Sequence, residues 1–280
     1  MILDGNAGGM LVAWNRSADE MHAKIDMFLG KTPVAIDVWG NRTSVPLRNG
    51  RHQLMLGRTP IFIEGIDPKL ALFRAAFQIV PPFIESKQIL HQRTLTLANP
   101  WPRTISGYMI IKEPQTWVIQ PPRKYFSIAS GQSTAVPISL RFPISEVAGP
   151  KKLVARFEFD ATSEYMADVS THMELGLRDV EFDADLSLTK NVQTGKVDAI
   201  VVMLVTNTGD EVLSLRAFAH MSGYPREMKA IFGLQPRQSV ARRFQFEDVA
   251  KTIHTTNIRV GLRELSGPAV LNKILSLDDQ

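Results

Sequence analysis

The chain has 280 residues, 44% of them hydrophobic, a net charge of +4 and no cysteine. That length exceeds one sandwich domain of about 100 residues and suits two or three compact units, while the missing cysteine excludes disulfides, thiol nucleophiles and thiolate-bound metals. The charge excess sits in the middle: residues 1–68 hold 7 basic and 7 acidic side chains, residues 69–177 hold 12 and 8, and residues 178–280 hold 13 and 13.

The basic doublets Arg123-Lys124, Lys151-Lys152 and Arg242-Arg243 are isolated from one another. No concentrated basic face, and so no nucleic-acid partner, is expected. Met1–Gly9 lacks the basic and apolar stretches of a signal peptide. The longest clean apolar run, Ala199–Val205, falls far short of the ~20 residues of a membrane helix, so no membrane span is predicted.

Period-2 alternation dominates. Met10, Val12 and Trp14 share one face of a first strand, which predicts a core position for Trp14. Met21–Leu29 fits two patterns. Ser17 and Glu20 fit a capping box before Met21, Ile25 and Phe28 on a helix; Met21, Ala23, Ile25 and Met27 fit a strand equally well. Strand is the expectation, because the helix would span barely two turns. Val34, Ile36 and Val38 follow, closed by Trp39-Gly40-Asn41, and Leu54, Leu56, Ile61 and Ile63 continue the alternation. Asp67 can cap a helix, Pro68 suits its first position, and Leu70, Phe73 and Phe77 fall near one face. A short helix is predicted there as a hinge, its apolar side chains packed between the first and second units to make one cooperative block. The third unit, reached through Arg178, is expected to be more independent.

The second and third units read as copies. LTLAN (95–99) matches MLVTN (203–207), placing Asn99 and Asn207 108 residues apart; IASGQS (128–133) matches LQPRQS (234–239); Glu146-Val-Ala-Gly-Pro150 matches Glu264-Leu-Ser-Gly-Pro268. Matched landmarks in one order predict a duplicated unit of Ig-like size. The expected fold is therefore all-β: a small antiparallel β-domain at 1–66, an Ig-like β-sandwich with a short N-terminal helix at 67–176, and a second Ig-like sandwich, the internal duplicate, at 177–280.

EPQTWVIQPPRKYFSIASGQSTAVPISLRFP (113–143) resembles the Ig-like domains associated with alpha-galactosidases and other secreted bacterial glycosidases. Trp117 on a strand, Pro121, the Gly131 turn and the strand ending at Pro143 carry the likeness, and the preceding strand with Asn99 fits it. VAIDVWGNRTSVPLRNGRHQLMLGRTPIFIEG (34–65) looks like the small β-domain that ends many glycosidase chains, through Asp37-x-Trp39-Gly40, the Gly50 hairpin and Pro60. The resemblance implies the appended part of a glycosidase-like protein, with an extracellular, periplasmic or cell-surface setting and a polysaccharide or a catalytic glycosidase-like chain or domain as partner.

The residues themselves point away from catalysis. A glycosidase needs two carboxylates across a sugar, on scaffolds that run larger than these units; a barrel takes about 250 residues. Histidines 22, 52, 91, 172, 220 and 254 form no HxH or HExxH pattern, and no G-x-S-x-G or phosphate loop occurs. No cofactor is expected. Asp179, Glu181, Asp183 and Asp185 alternate with Val180, Phe182, Ala184 and Leu186. As a Ca²⁺ site they fit poorly, since same-face strand neighbours stand about 7 Å apart against Ca²⁺–oxygen distances of about 2.4 Å; a solvated outer face is the better expectation. The aromatics are the remaining ligand candidates. Trp101, between Pro100 and Pro102, has a loop placement; Tyr108 and Tyr125 offer polar-tipped rings; Trp39 is expected to be partly exposed or at a domain contact, and Trp117 in the core. The expected function is a non-catalytic accessory or spacer with weak carbohydrate contact. The alternatives are a protein-interaction or cell-surface adhesion module and a truncated enzyme remnant without activity of its own.

Overall fold

The computed structural model describes residues 1–5, 8–16 and 23–277. About 60% of the chain is strand and 4% helix, so the fold is all-β. The first segment contains β1 (Ile2–Gly5), β2 (Gly8–Ala13), β3 (Ala23–Met27), β4 (Val34–Ile36), β5 (Arg42–Ser44), β6 (Leu47–Arg48), β7 (Arg51–Leu56) and β8 (Ile61–Ile66). They form an antiparallel sheet ordered β1-β2-β8-β4-β5 and a smaller one ordered β3-β7-β6. Ile25, Leu29, Leu56, Ile63 and Ile66 close the space between them. The segment with two readings is strand from Ala23, paired with β7; Ser17, Glu20, Met21 and His22 lie outside the described residues. Trp14 departs from its expected core position. It follows the end of β2 and is 40% exposed, while Val12 is buried.

Helix α1 (Pro68–Ala76) forms where its signals predict. The Asp67 carboxylate accepts the Leu70 amide at 3.0 Å, and Pro68 occupies the first turn, where its missing N–H costs nothing. Its apolar face differs from the expected seam. Leu70, Phe73 and Phe77 belong to the core of the following sandwich: Phe73 meets Phe157 and Phe159 at 5.1 Å and Trp101 at 5.7 Å, and Phe77 meets Phe157 at 5.3 Å. Ala71 packs against the first segment's core, and Phe28 of that segment packs in turn on the core that holds Phe73. The helix is thus chiefly the lid of a sandwich, with its Ala71 side on the seam.

The proximal sandwich follows: β9 (Gln78–Val80), β10 (Phe83–Glu85), β11 (His91–Ala98), β12 (Ile105–Glu113), β13 (Val118–Gln120), β14 (Arg123–Ile128), β15 (Ser133–Arg141), β16 (Gly149–Asp160) and β17 (Glu164–Gly176). Its sheets are β13-β15-β11-β9 and β10-β17-β16-β12-β14. The distal sandwich has β18 (Val180–Lys190), β19 (Val197–Asn207), β20 (Leu213–Met221), β21 (Glu227–Leu234), β22 (Ser239–Phe246), β23 (Ile258–Glu264) and β24 (Val270–Leu275), in sheets β18-β19-β22 and β21-β20-β23-β24. The two strand orders superpose: β9-β11-β15 on β18-β19-β22, and β14-β12-β16-β17 on β21-β20-β23-β24. Alternation fills each interior, for example with Leu153, Ala155, Phe157 and Phe159 in one and Val201, Met203 and Val205 in the other. Two separate cores result.

The asparagines occupy equivalent corners of the two sandwiches. The buried Asn99 amide group donates to the Arg103 and Ile128 carbonyls, both at 2.8 Å, and its Oδ1 accepts the Trp101 amide at 2.9 Å. Asn207 donates to Glu211 and Leu234 at 2.7 and 2.9 Å and accepts from Gly209 at 3.0 Å. The Asn99 amide donates to the Gln132 carbonyl and the Asn207 amide to that of Gln238, both at 2.9 Å. The returning turn passes through a left-handed residue in each copy, Gly131 at φ 68° and Arg237 at φ 63°. Two of the three sequence landmarks therefore mark equivalent sites. The third does not: Glu146–Pro150 precedes and enters β16, while Glu264–Pro268 ends and follows β23. β16 and β23 correspond, so that match joins opposite ends of equivalent strands.

Both seams carry directional bonds. Between the first segment and the proximal sandwich with its helix, the Asp67 amide donates to the Leu29 carbonyl at 2.7 Å, Arg51 reaches Asp168 at 3.3 Å, and Arg74 donates to the Phe28 carbonyl at 2.5 Å. Burial pushes the Arg74 guanidinium down to about 10, with Asp67 opposing. Between the sandwiches, the Val270 amide donates to the Ser86 carbonyl at 2.9 Å and Gln88 donates to Pro268 at 2.9 Å. The buried Asn272 side chain donates to the Ile144 and Glu146 carbonyls at 3.0 and 2.8 Å. The distal sandwich is thus hydrogen-bonded to its neighbour while keeping a core of its own.

Candidate functional site

The surface with the most ligand-like chemistry lies on the outer face of the larger proximal sheet. Strand register builds it. Tyr108 on β12 stands opposite Tyr125 on β14 on one side and Glu158 on β16 on the other, and Glu158 stands opposite Met166 on β17. Four strands thus contribute one row, and neighbouring strands are about 4.8 Å apart. The tyrosine rings meet edge to face at 5.5 Å, and Arg123 lies over the Tyr108 ring at 3.9 Å. Tyr125 is 55% exposed and Met166 73%. Glu158, Asp160 and Glu164 line the same open cleft of about 540 Å³. Ring surface beside carboxylates can stack on an apolar sugar face and accept hydroxyl protons. The next row continues as an ion pair: Asp168 accepts from Arg156 at 3.0 Å and also meets Arg51. The Arg156 hydrogen bond holds the Asp168 carboxyl below its ordinary value, with the Arg156 and Arg51 charges adding to it against burial.

The other sequence candidates scatter. Trp101 does not offer a platform. Its loop placement is as expected, but the ring is only 2% exposed, packed on Phe73, Phe159 and Tyr165. Asn99 Oδ1 accepts the Trp101 backbone amide at 2.9 Å and ties down the loop that carries the ring. Trp39 is the opposite case, at 80% exposure on the β4–β5 turn. Asp37 freezes that turn, accepting the Trp39 and Asn41 amides at 2.9 Å and the Asn41 side chain at 2.8 Å. The Asn41 side chain, then the backbone amides, hold the Asp37 carboxyl below its usual range. Trp117 is buried and donates to Glu146 at 2.8 Å.

Glu181, Asp183 and Asp185 alternate outward on β18, and Asp179 is exposed just before it. Asp183 lies 3.7 Å from Lys273. Among the described residues no group of three or more potential ligands could hold a metal ion, and no helix is long and apolar enough to cross a membrane. Sequence reasoning named Tyr108 and Tyr125 and missed Glu158, Asp160 and Met166. Only register brings those three to the tyrosines, and register is not written in local alternation.

No protein-family model matches the chain, and no curated protein matches it. Among solved structures it is similar to a red sea bream transglutaminase at 8% identity and TM-score 0.32, over 85% of this chain and 40% of that one. It is also similar to WR4, a C. elegans MSP family member, at 9% identity and TM-score 0.26, over 36% of this chain and 97% of that one. A third likeness is to the Pseudomonas aeruginosa CupB2 chaperone, at 9% identity and TM-score 0.24, over 70% and 96%. The chain's own sheets establish its class: an all-β protein of several antiparallel, sandwich-like sheets.

Proposed function

We propose that the chain is the non-catalytic accessory β-region of a glycosidase-like protein, serving as a stiff spacer that touches carbohydrate through the Tyr108–Tyr125 face. The observation that carries this reading is the bonding at both seams. Arg51–Asp168 and Arg74–Phe28 fix one junction, and Asn272 with the Ser86–Val270 pairing fixes the other. A flexible tether needs no such bonds, whereas a spacer that sets a distance does. The tyrosine row with its carboxylates supports sugar contact, and the sequence resemblance supports the secreted or surface setting. Small-angle scattering of the whole chain is expected to give one extended, rigid particle whose profile fits the three segments in fixed relation. Affinity electrophoresis in neutral polysaccharide gels is expected to show retardation that Tyr125→Ala abolishes. A flexible-linker profile contradicts the spacer, and absence of retardation contradicts the sugar contact. No hydrolysis of aryl glycosides is expected.

A protein-interaction role is the second reading, and Trp39 favours it. An exposed tryptophan on a turn held by Asp37 has the preorganisation of an interface anchor. Loss of a captured catalytic chain with Trp39→Ala, and retention with Tyr125→Ala, supports this reading over the first.

A further inference from the structure

The outer face of the distal sandwich carries a second cleft, at the junction with the proximal sandwich. On β20 and β23, His220 stands opposite Arg259, Phe218 opposite Gly261 and Arg216 opposite Arg263. Arg226, just before β21, stacks over the Phe218 ring at 3.9 Å. That ring can sit so low only because position 261 is glycine; a Cβ there would come within 2.7 Å of the ring. Ile144 and Ser145 of the proximal sandwich form the facing wall, held by the Asn272 bonds to the Ile144 and Glu146 carbonyls. The cleft has a volume of about 300 Å³.

Three guanidinium groups, Arg226, Arg259 and Arg263, converge on this cleft. Among the described residues none of them forms an ion pair, and the Glu264 carboxylate beside them is engaged by the Ala269 amide at 3.2 Å. Arg259 and Arg263 stand four residues apart on β23, about 13 Å between Cα atoms, and Arg226 lies over the ring of Phe218, whose strand partner Gly261 is midway between them; like charges gathered this way repel. Burial against the sandwich, then the Arg263 and Arg259 charges, lower the Arg226 guanidinium from its ordinary value. The fold therefore holds together charges that would separate if left free, around a space with donors and no acceptor charge. Guanidinium forks match the paired oxygens of carboxylate, sulfate and phosphate.

We propose that this cleft is an oxyanion-binding site, taking the carboxylate, sulfate or phosphate of a small ligand between Arg226, Arg259 and Arg263 against the Ile144–Ser145 wall. The site stands apart from the tyrosine face and does not depend on the carbohydrate reading; an acidic sugar is one bearer of such a group and a phosphate ester another.

The test uses the full chain, with calorimetric titration and thermal melting in sulfate, inorganic phosphate and glucuronate. Glucose and chloride of equal ionic strength are the controls. Saturable binding with a rise in Tm is expected for at least one oxyanion and for neither control, and the tightest probe identifies the bearer: glucuronate a saccharide, phosphate a phosphate ester. The double variant Arg259→Gln, Arg263→Gln is expected to bind about tenfold more weakly or worse. It should also melt higher than wild type in low salt without ligand, because a repulsion is gone. That second readout shows that the variant is folded and that its loss is local. Arg226→Lys keeps the charge but not the fork and is expected to weaken binding, whereas the distant Arg141→Gln leaves it unchanged. The proposal is overturned if no oxyanion saturates or if the double variant binds as wild type does. It is equally overturned if only a long polyanion such as heparin binds and small oxyanions do not compete.

Discussion

The outer faces of the two sandwiches make an instructive pair. Beneath them the frames are alike: the same strand order, the same asparagine corner, the same left-handed residue in the returning turn. On top, the charges are arranged in opposite ways. The proximal face pairs Arg156 with Asp168, Arg51 sharing the same carboxylate, while its Arg123 lies over the Tyr108 ring. The distal face gathers Arg226, Arg259 and Arg263 without a carboxylate between them. Interior and corner geometry is what the two sandwiches share, because each buried polar group there must be satisfied. Outer-face residues are free of that demand and can be set for different partners.

The shared frame predicts the largest effects, and they should be equal in the two copies. Asn99→Ala and Asn207→Ala each remove the side-chain partner of one buried carbonyl, one part-buried carbonyl and one buried amide. A loss of about 3 kcal/mol is expected from either, measured by urea unfolding. A large cost in one copy and none in the other would break the equivalence. Phe73→Ala is predicted to cost a similar 3–5 kcal/mol, and to act on the proximal sandwich, whose aromatic cluster it enters, before the first segment. Hydrogen exchange resolved by region distinguishes this from a seam role.

Acid should separate the faces next. The folded Asp168 carboxyl lies below its ordinary 3.8. Its contribution is therefore complete above that value and is lost as pH falls through the lower folded value. Wild-type stability is expected to drop in that range, and Asp168→Asn to flatten the drop. In the first segment, burial lowers the His52 imidazole from 6.5, so its neutral form is favoured on folding. Stability there is complete above 6.5 and declines below it, as the unfolded chain takes up the proton. His52→Gln should reduce that slope, followed by the melting of the first segment between about pH 5 and 7.

Much of the frame was legible in the sequence. Pro68 behind Asp67 announced the helix, alternation announced the strands, and Asn99 and Asn207 announced the repeat, since a side chain that satisfies three backbone groups leaves a mark at a fixed place. The Glu146 and Glu264 stretches show the limit: short turn-forming strings recur at unrelated ends of a strand. Trp101 shows another, because flanking prolines place a ring in a loop without saying which way it turns. The distal arginines were hidden by counting. Residues 178–280 balance 13 basic against 13 acidic side chains, yet Glu181, Asp183 and Asp185 project from one sheet and Arg216, Arg259 and Arg263 belong to the other. Net charge averages over faces that only strand order separates.

One frame thus carries two opposite electrostatic faces. The most direct measurement compares the melting of Arg156→Gln and Arg263→Gln with wild type, at low and at high ionic strength and without added oxyanions. Arg156→Gln should lower stability by roughly 0.5–1 kcal/mol, the range of partly exposed pairs. Arg263→Gln should raise it by a few tenths, and both differences should shrink in about 1 M salt, where the Debye length is near 3 Å. Shifts of the same sign in the two variants, or shifts indifferent to salt, would contradict the claim.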